Sequence, residues 1–254
     1  MLTHPTHDAL RALKLDGMAE VLAELLARED SRQMDPIEWI GLMLDRESAT
    51  RDTRRFQTRL RAAKLRDSTA CLEDVDYTFP RKLDRALFQS LRDSVWISKA
   101  RPILITGPCG VGKSWLACAL GHEACRQGKT VFYFRMPRLL ADLAAARGDG
   151  SYDRLFRKIA RADVLLLDDW GPEQLTAPQR RDLMEVIDER YGRKATIVTS
   201  QLPIDTWHDM IGDPTFADAI LDRLVHNAHK FALDGPSMRK RSSQTQKTDA
   251  GGTK

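Results

Sequence analysis

Hydrophobic residues in the first quarter of the chain keep a three- and four-residue beat, whereas from about residue 101 they gather into short runs separated by longer helical stretches. Residues 1 to about 66 read as helical: Leu15, Met18, Leu22, Leu25 and Leu26 fall on one side of a 3.6-residue period. A second helix opens at Asp35-Pro36-Ile37-Glu38, where Asp35 can cap, Pro36 suits the first turn and Glu38 can reach back. Its expected apolar face runs through Ile37, Ile40 and Leu44, and after Glu47 it turns so polar that its far half is expected to project from any core. The later pattern is that of a parallel sheet covered by helices. Strands are expected near 102–106, 130–135, 163–168, 194–199 and 228–233, with helices near 113–127, 136–147, 151–161, 177–191 and 215–226. The chain thus divides into an all-α segment (1–70), an α/β core (71–236) and a tail (237–254) whose Ser, Thr, Gln and Gly content predicts flexibility.

Composition narrows the class. With 254 residues, 42% hydrophobic and 30% charged, the chain can bury a sizeable core and is neither collagen-like nor low-complexity. The apolar runs Trp115–Gly121 and Val164–Leu167 are far too short to cross a membrane, and Met1–Leu10 lacks the regions of a signal peptide, so a cytoplasmic location is expected. Cys71, Cys109, Cys118 and Cys125 form no Cys-x-x-Cys pair and are read as thiols. The net charge of +4 sits entirely in the tail, where Arg239, Lys240, Arg241, Lys247 and Lys254 oppose Asp249. Elsewhere the charge is segregated: residues 1–50 carry five basic and ten acidic side chains, whereas 51–66 carry Arg51, Arg54, Arg55, Arg59, Arg61, Lys64 and Arg66 against Asp52 alone. An anionic partner suits such a segment.

The chemistry is carried by Gly107-Pro108-Cys109-Gly110-Val111-Gly112-Lys113-Ser114, which fits the phosphate-loop pattern G-x-x-x-x-G-K-[ST] between an apolar strand and a helix opening near Trp115. Its glycines let backbone N–H groups and the positive end of the helix face a polyphosphate, Lys113 reaches the β- and γ-phosphates, and Ser114 ligates Mg²⁺. Val164-Leu165-Leu166-Leu167-Asp168-Asp169 reads as the neighbouring strand, with Asp168 for the Mg²⁺ shell and Asp169 to orient or deprotonate the attacking water. Strand four ends in Ile197-Val198-Thr199-Ser200-Gln201, where a small polar side chain could meet the γ-phosphate, and Ser200 and Gln201 are taken as nucleotide contacts. On spacing alone, Arg223 and Arg239 are not separable from surface arginines.

The order of phosphate loop, Asp168-Asp169, Thr199-Ser200-Gln201, Asp222-Arg223-Leu224 and Ser237-Met238-Arg239-Lys240 resembles the IstB-type helper ATPases of insertion sequences, relatives of the DnaC-type helicase loaders within the AAA+ class. Arg59-Leu60-Arg61-Ala62-Ala63-Lys64-Leu65 and Leu72-Glu73-Asp74-Val75-Asp76-Tyr77 extend the resemblance over essentially the whole chain. It implies a P-loop AAA+ fold with a five-stranded parallel sheet, ATP and Mg²⁺ as cofactors, and assembly as a homo-oligomer on target duplex DNA. It further implies that Arg223 reaches the ATP of a neighbouring subunit, that Arg239 acts as a second sensor in cis, and that a partner transposase is recruited and stimulated. Many AAA+ proteins carry Glu where this chain has Asp169; the shorter side chain predicts slow hydrolysis, completed by a partner.

Arg51, Arg55 and Arg59 recur every four residues, with Arg54, Arg61 and Lys64 nearby, as expected of a helix that contacts DNA phosphates or, alternatively, pairs with the acidic residues 1–50. Arg154, Arg157, Lys158 and Arg161 form a second basic face, read as solvated or facing DNA. His226 and His229 lack further ligands, so no zinc site is expected. Tyr77 and Phe79 are read as adenine contacts or packing residues, and Trp115 and Trp170 chiefly as packed. The competing functions are a helicase loader acting on single strands and a small-molecule phosphotransferase; the latter is disfavoured because the carboxylate pair and basic helix serve no acceptor pocket.

Overall fold

The computed structural model describes residues 5–171 and 173–238, apart from the side chain of Arg32. Arg239 and the rest of the basic tail lie outside the described residues. The chain forms two compact units, Met1–Thr58 and Arg59–Lys254. This division falls inside a helix and ahead of the boundary expected at residue 70. The residues just after it already belong to the second unit: Arg59 donates from Nε to the Cys125 carbonyl (2.9 Å), and Ala63, Leu65 and Ala70 are buried.

The first unit contains α1 (Pro5–Ala12), α2 (Asp16–Ala27) and most of α3 (Pro36–Ala63). Val21, Leu22 and Leu25 of α2 pack on Met43 of α3, with Leu10, Met18, Met34 and Trp39 around them. The face that α3 buries is therefore Trp39–Met43–Glu47, at strict four-residue spacing, and the expected apolar face is outward: Ile37, Ile40 and Leu44 are 77%, 52% and 55% exposed. The reason lies in α2. Its N-terminus has no side-chain cap of its own, and the buried Glu47 carboxylate accepts the N–H groups of Gly17 (2.9 Å) and Met18 (3.3 Å) instead. Gly17 makes that approach possible, since a Cβ there would lie 2.8 Å from the Arg46 carbonyl oxygen. Burial pushes the Glu47 carboxyl up, but its bonds to Arg51, Met18 and Gly17 prevail and hold it below the ordinary carboxylate value.

The second unit opens with two short helices, α4 (Arg85–Ser90) and α5 (Val95–Ser98), which the apolar pattern did not single out. There follow β1 (Ile103–Thr106), α6 (Lys113–Arg126), β2 (Val131–Arg135), α7 (Met136–Asp149), α8 (Tyr152–Arg161), β3 (Val164–Trp170), α9 (Ala177–Arg190), β4 (Ala195–Ser200), α10 (Trp207–Ile211), α11 (Pro214–Val225) and β5 (His229–Ala232). The five strands are parallel, in the order β2-β3-β4-β1-β5. Each of the expected strands and major helices is present within two residues at either end. Because side chains alternate along a strand, Leu104, Leu165, Leu167 and Val198 pack with α7, α9 and α11, while Ile103, Ile105, Leu166 and Ile197 face the other side, where α6 contacts the sheet. Among the described residues no helix is long and apolar enough to cross a membrane.

One buried cation ties this layering together. Arg190, at the end of α9, donates to the carbonyls of Ile159 (2.7 Å) and Ala162 (2.9 Å), to the Ala195 carbonyl and to Thr196 Oγ1 (3.2 Å), closing the end of α8 and the start of β4. Burial lowers its pKa to about 9, so it remains largely cationic at neutral pH. Arg190→Met would strand three carbonyls, at about 1–3 kcal/mol each. We expect the urea midpoint of the chain to fall by an amount equivalent to at least about 3 kcal/mol; an unchanged midpoint would mean that water replaces the guanidinium without loss.

Candidate functional site: a phosphate loop beside a bulged carboxylate strand

Strand β1 delivers the chain into the loop at Gly107, whose φ of +142° brings it against the Leu233 carbonyl, only 2.3 Å from where a Cβ would stand. The loop ends at Gly112 (φ +93°), from which α6 starts with Lys113 and directs its first N–H groups toward the cleft. Arg81, almost wholly buried, braces the loop by donating to the Val111 (3.3 Å) and Asp76 (3.0 Å) carbonyls. Lys113 Nζ donates to the carbonyls of Gly107 (2.7 Å) and Pro108 (2.8 Å).

On β3 the two carboxylates depend on a bulge. The pairing with β4 runs from Leu167↔Val198 to Trp170↔Ser200, so Asp168 and Asp169 together oppose Thr199. Asp169 occupies the left-handed region (φ +60°), which aspartate tolerates better than most residues. In a regular strand the two side chains would point to opposite faces; here both serve the cleft. Thr199 holds the bulge, accepting from the Asp169 N–H (3.3 Å) and donating to Asp168 Oδ1.

Asp168 is fully buried. Its Oδ1 also accepts from Ser114 Oγ (2.6 Å), and its Oδ2 accepts from the Tyr133 hydroxyl (2.6 Å) with Arg66 Nη1 at 3.5 Å. Burial pushes this carboxyl up, yet the three hydroxyl donors and the Arg66 charge outweigh it and hold it below the ordinary value. The Tyr133 hydroxyl is driven well above its usual range, by burial first and then by donating to Asp168. Asp169, at the rim, is clamped by Arg135 Nη2 (2.8 Å) and Nε (2.9 Å). Arg66, Arg135 and Asp169 line a cavity of about 660 Å³ together with Gly110, Gly112, Lys113, Ser114, Trp115 and Gln201, and Asp168 lies behind Ser114, buried beneath that wall.

The structure thus brings Lys113, Ser114, Asp168, Asp169 and Gln201 to one cleft. Gly107, Pro108 and Val111 contribute backbone rather than cavity wall, and Cys109 is exposed on the cavity wall. Ser200 is a correction: its side chain donates to the Trp170 carbonyl (2.8 Å) and accepts from the Leu202 N–H (3.0 Å), leaving Thr199 as the strand-end hydroxyl at the carboxylates. Arg223 lies outside the cavity wall, donating to Asp188 (2.8 Å) and to the Ala219 carbonyl (2.8 Å). Phe79 is buried and Tyr77 lies under Arg85, neither of them lining the cavity. In the first unit Arg51, Arg54 and Arg55 pair with Glu47, Asp16 and Asp52; in the second, Arg59 is engaged by the Cys125 carbonyl while Arg61 and Lys64 are exposed, so the expected single basic face is divided. Sequence reasoning missed Arg66, Tyr133, Arg135 and Arg81 as site residues. None of them carries a local signal; Arg135, the last residue of β2, reaches the site only because the β2–β3 register sets it beside Asp168.

A phosphate loop on β1, a buried carboxylate on a non-adjacent strand with β4 between them, and helices on both faces define a P-loop ATPase of the AAA+ class. The chain belongs to the IstB-like ATP binding protein family, which matches residues 8–246. A relative from Sinorhizobium fredii, named as an insertion sequence ATP-binding protein, is 54% identical over 240 residues, 94% of this chain and 98% of the relative. One from Pseudomonas aeruginosa, named for the insertion sequence IS21, is 29% identical over 93% of this chain and 89% of its own length. Among solved structures, the DnaI crystal structure aligns with a TM-score of 0.57 and 20% identity over 70% of this chain and 93% of that one. AMPPCP-bound DnaA from Aquifex aeolicus aligns at 0.58 and 18%, over 72% and 56%. At such identities the likeness speaks for the fold. The chain is an ATP-binding ATPase of this family, related by name to insertion-sequence proteins.

The thiols offer a direct probe of this cleft. Burial pushes Cys118 and Cys125 up to about 11, and Cys71 is raised by its bond to Asp74, so none of the three presents much thiolate at pH 8. Iodoacetamide should label the exposed Cys109 first, and ATP should slow that labelling; protection by ATP at Cys71 instead would misplace the nucleotide.

Proposed function

We propose that this chain is an ATP-dependent assembly factor in DNA transposition. In this reading it binds ATP with Mg²⁺, assembles as a homo-oligomer on duplex DNA without sequence preference, and recruits and stimulates a partner transposase. The observation that supports the ATP-dependent core of the reading is the meeting of Ser114 with Asp168 beside Lys113. The donor set suits a magnesium ion: Ser114 Oγ gives its hydrogen to Asp168 and keeps its lone pairs for a metal, and a hard cation prefers oxygen ligands. When bound, the ion would neutralise charge on the β- and γ-phosphate oxygens.

Lys113 would exchange the Gly107 and Pro108 carbonyls for phosphate oxygens. Loop amides between Gly110 and Ser114 would cradle the polyphosphate, with Trp115 and Gln201 at its margins. Asp169 would orient the attacking water, and its clamp by Arg135 fits an enzyme that turns over slowly until a partner rearranges the rim. Arg223 would serve a neighbouring subunit's ATP, in keeping with its position away from its own cleft, and Arg239 would sense the nucleotide in cis.

For DNA, the helical segment before residue 70 carries the reading, with Arg51, Arg54, Arg55, Arg61 and Lys64 as phosphate contacts and Arg59 contributing only its residual charge. The ion pairs of Arg54 and Arg55 are exposed and worth about 0–1 kcal/mol, so a phosphate can displace the carboxylates. Relatives named for insertion sequences favour the transposase partnership over helicase loading.

Sedimentation of the full chain with ATP, duplex DNA and single-stranded DNA tests the reading, with assembly expected only when ATP and duplex are both present. Lys113→Ala should abolish assembly, Asp169→Asn should permit it without turnover, and Arg223→Ala should remove DNA-stimulated hydrolysis. Assembly on single strands alone would support the helicase-loader alternative. Reversal of Arg55, Arg61 and Lys64 to Glu should weaken binding equally for all duplex sequences and flatten its salt dependence; unchanged affinity would move the DNA surface elsewhere.

A further inference from the structure

Arg66 is a cation in the phosphate cleft that the phosphate-loop pattern does not contain. It follows α3 by three residues, after Lys64 has ended the helix in a left-handed turn (φ +53°). The segment is anchored: Leu65 is buried against Gly121 of α6, and the backbone N–H groups of Arg66 and Asp67 face the Cys118 sulfur. From this anchor the guanidinium lines the same cavity wall as Lys113, Ser114 and Asp169, and its Nη1 stands 3.5 Å from Asp168 Oδ2.

Arg66 brings a full positive charge to Asp168, whose hydrogen-bond partners are the neutral hydroxyls of Ser114, Thr199 and Tyr133. A wholly buried carboxylate needs such compensation. A divalent cation entering at Ser114 seeks the same carboxylate, and two cations crowded onto one carboxylate repel.

We propose that Arg66 is the resident counter-charge of Asp168, which magnesium must displace, and that it thereby sets the metal concentration at which the chain retains nucleotide. Arg66 acts through Asp168 and is a positioning residue. This inference rests on the reading that Ser114 and Asp168 hold magnesium.

The test uses the full chain and a fluorescent N-methylanthraniloyl analogue of ATP, titrating Mg²⁺ at fixed nucleotide and reading bound fluorescence for the unaltered chain, Arg66→Ala and Arg66→Lys. The magnesium midpoint should fall at least about threefold in Arg66→Ala, the fold-change appropriate to losing a partly exposed ion pair, and Arg66→Lys should stay near the unaltered chain. A thermal melt of each variant without nucleotide confirms that it is folded; if Arg66→Ala does not fold, Arg66→Gln takes its place. A midpoint that is unchanged or raised in the folded variant would overturn the inference while leaving the metal site intact. Nucleotide binding by the unaltered chain with no magnesium dependence would instead overturn the underlying reading.

Discussion

A carboxylate with no access to water organises the structure around the phosphate loop. Asp168 is charged in a place where charge is costly, and it is tolerated because three hydroxyls and one guanidinium converge on it from four separate elements: Ser114 from α6, Tyr133 from β2, Thr199 from β4 and Arg66 from the segment after α3. Each donor is useful only if its element is in register with the others. The carboxylate therefore works as a reference point to which the phosphate loop, the sheet edge and the segment after α3 are all tied. The β3 bulge is the local device that makes the arrangement possible, because it sets two adjacent aspartates opposite Thr199, which bonds to both.

The same economy appears away from the cleft. Glu47 replaces a missing cap on α2, and Arg190 gathers carbonyls from α8 and β4. In each case a buried charge is saturated by backbone groups that would otherwise be unpaired, so it fixes geometry as well as contributing stability. Such points explain why the two compact units divide within α3 rather than at its end: Glu47 commits the first half of that helix to α2, and Arg59 commits its last turn to α6.

Much of this was legible from the chain. Strand positions followed from short apolar runs bounded by polar residues, and the phosphate loop from glycine spacing ahead of Lys113, because backbone conformation and burial leave local traces. What escaped has non-local causes. No periodicity tells that Glu47 will cap a helix thirty residues upstream, so the buried face of α3 was placed on Ile37, Ile40 and Leu44 instead of Trp39, Met43 and Glu47. Ser200 and Thr199 are both small hydroxyl residues at a strand end, and only the bulge decides which of them reaches Asp168. Arg66, Tyr133 and Arg135 are scattered along the chain and meet only once the sheet order is set. Arg51 to Arg59 looked like a single basic stripe because sequence shows charge without partners; folding pairs each of them differently.

If Ser114 and Asp168 hold magnesium as proposed, the Asp168 charge with its hydroxyl donors makes nucleotide binding depend on metal. Calorimetric titration of ATP into the unaltered chain and into Asp168→Asn, each with magnesium and with EDTA, addresses it most directly. Magnesium is expected to tighten binding by about tenfold or more in the unaltered chain, whereas Asp168→Asn is expected to bind ATP in EDTA but to gain nothing from magnesium. An undiminished magnesium gain in Asp168→Asn would contradict it.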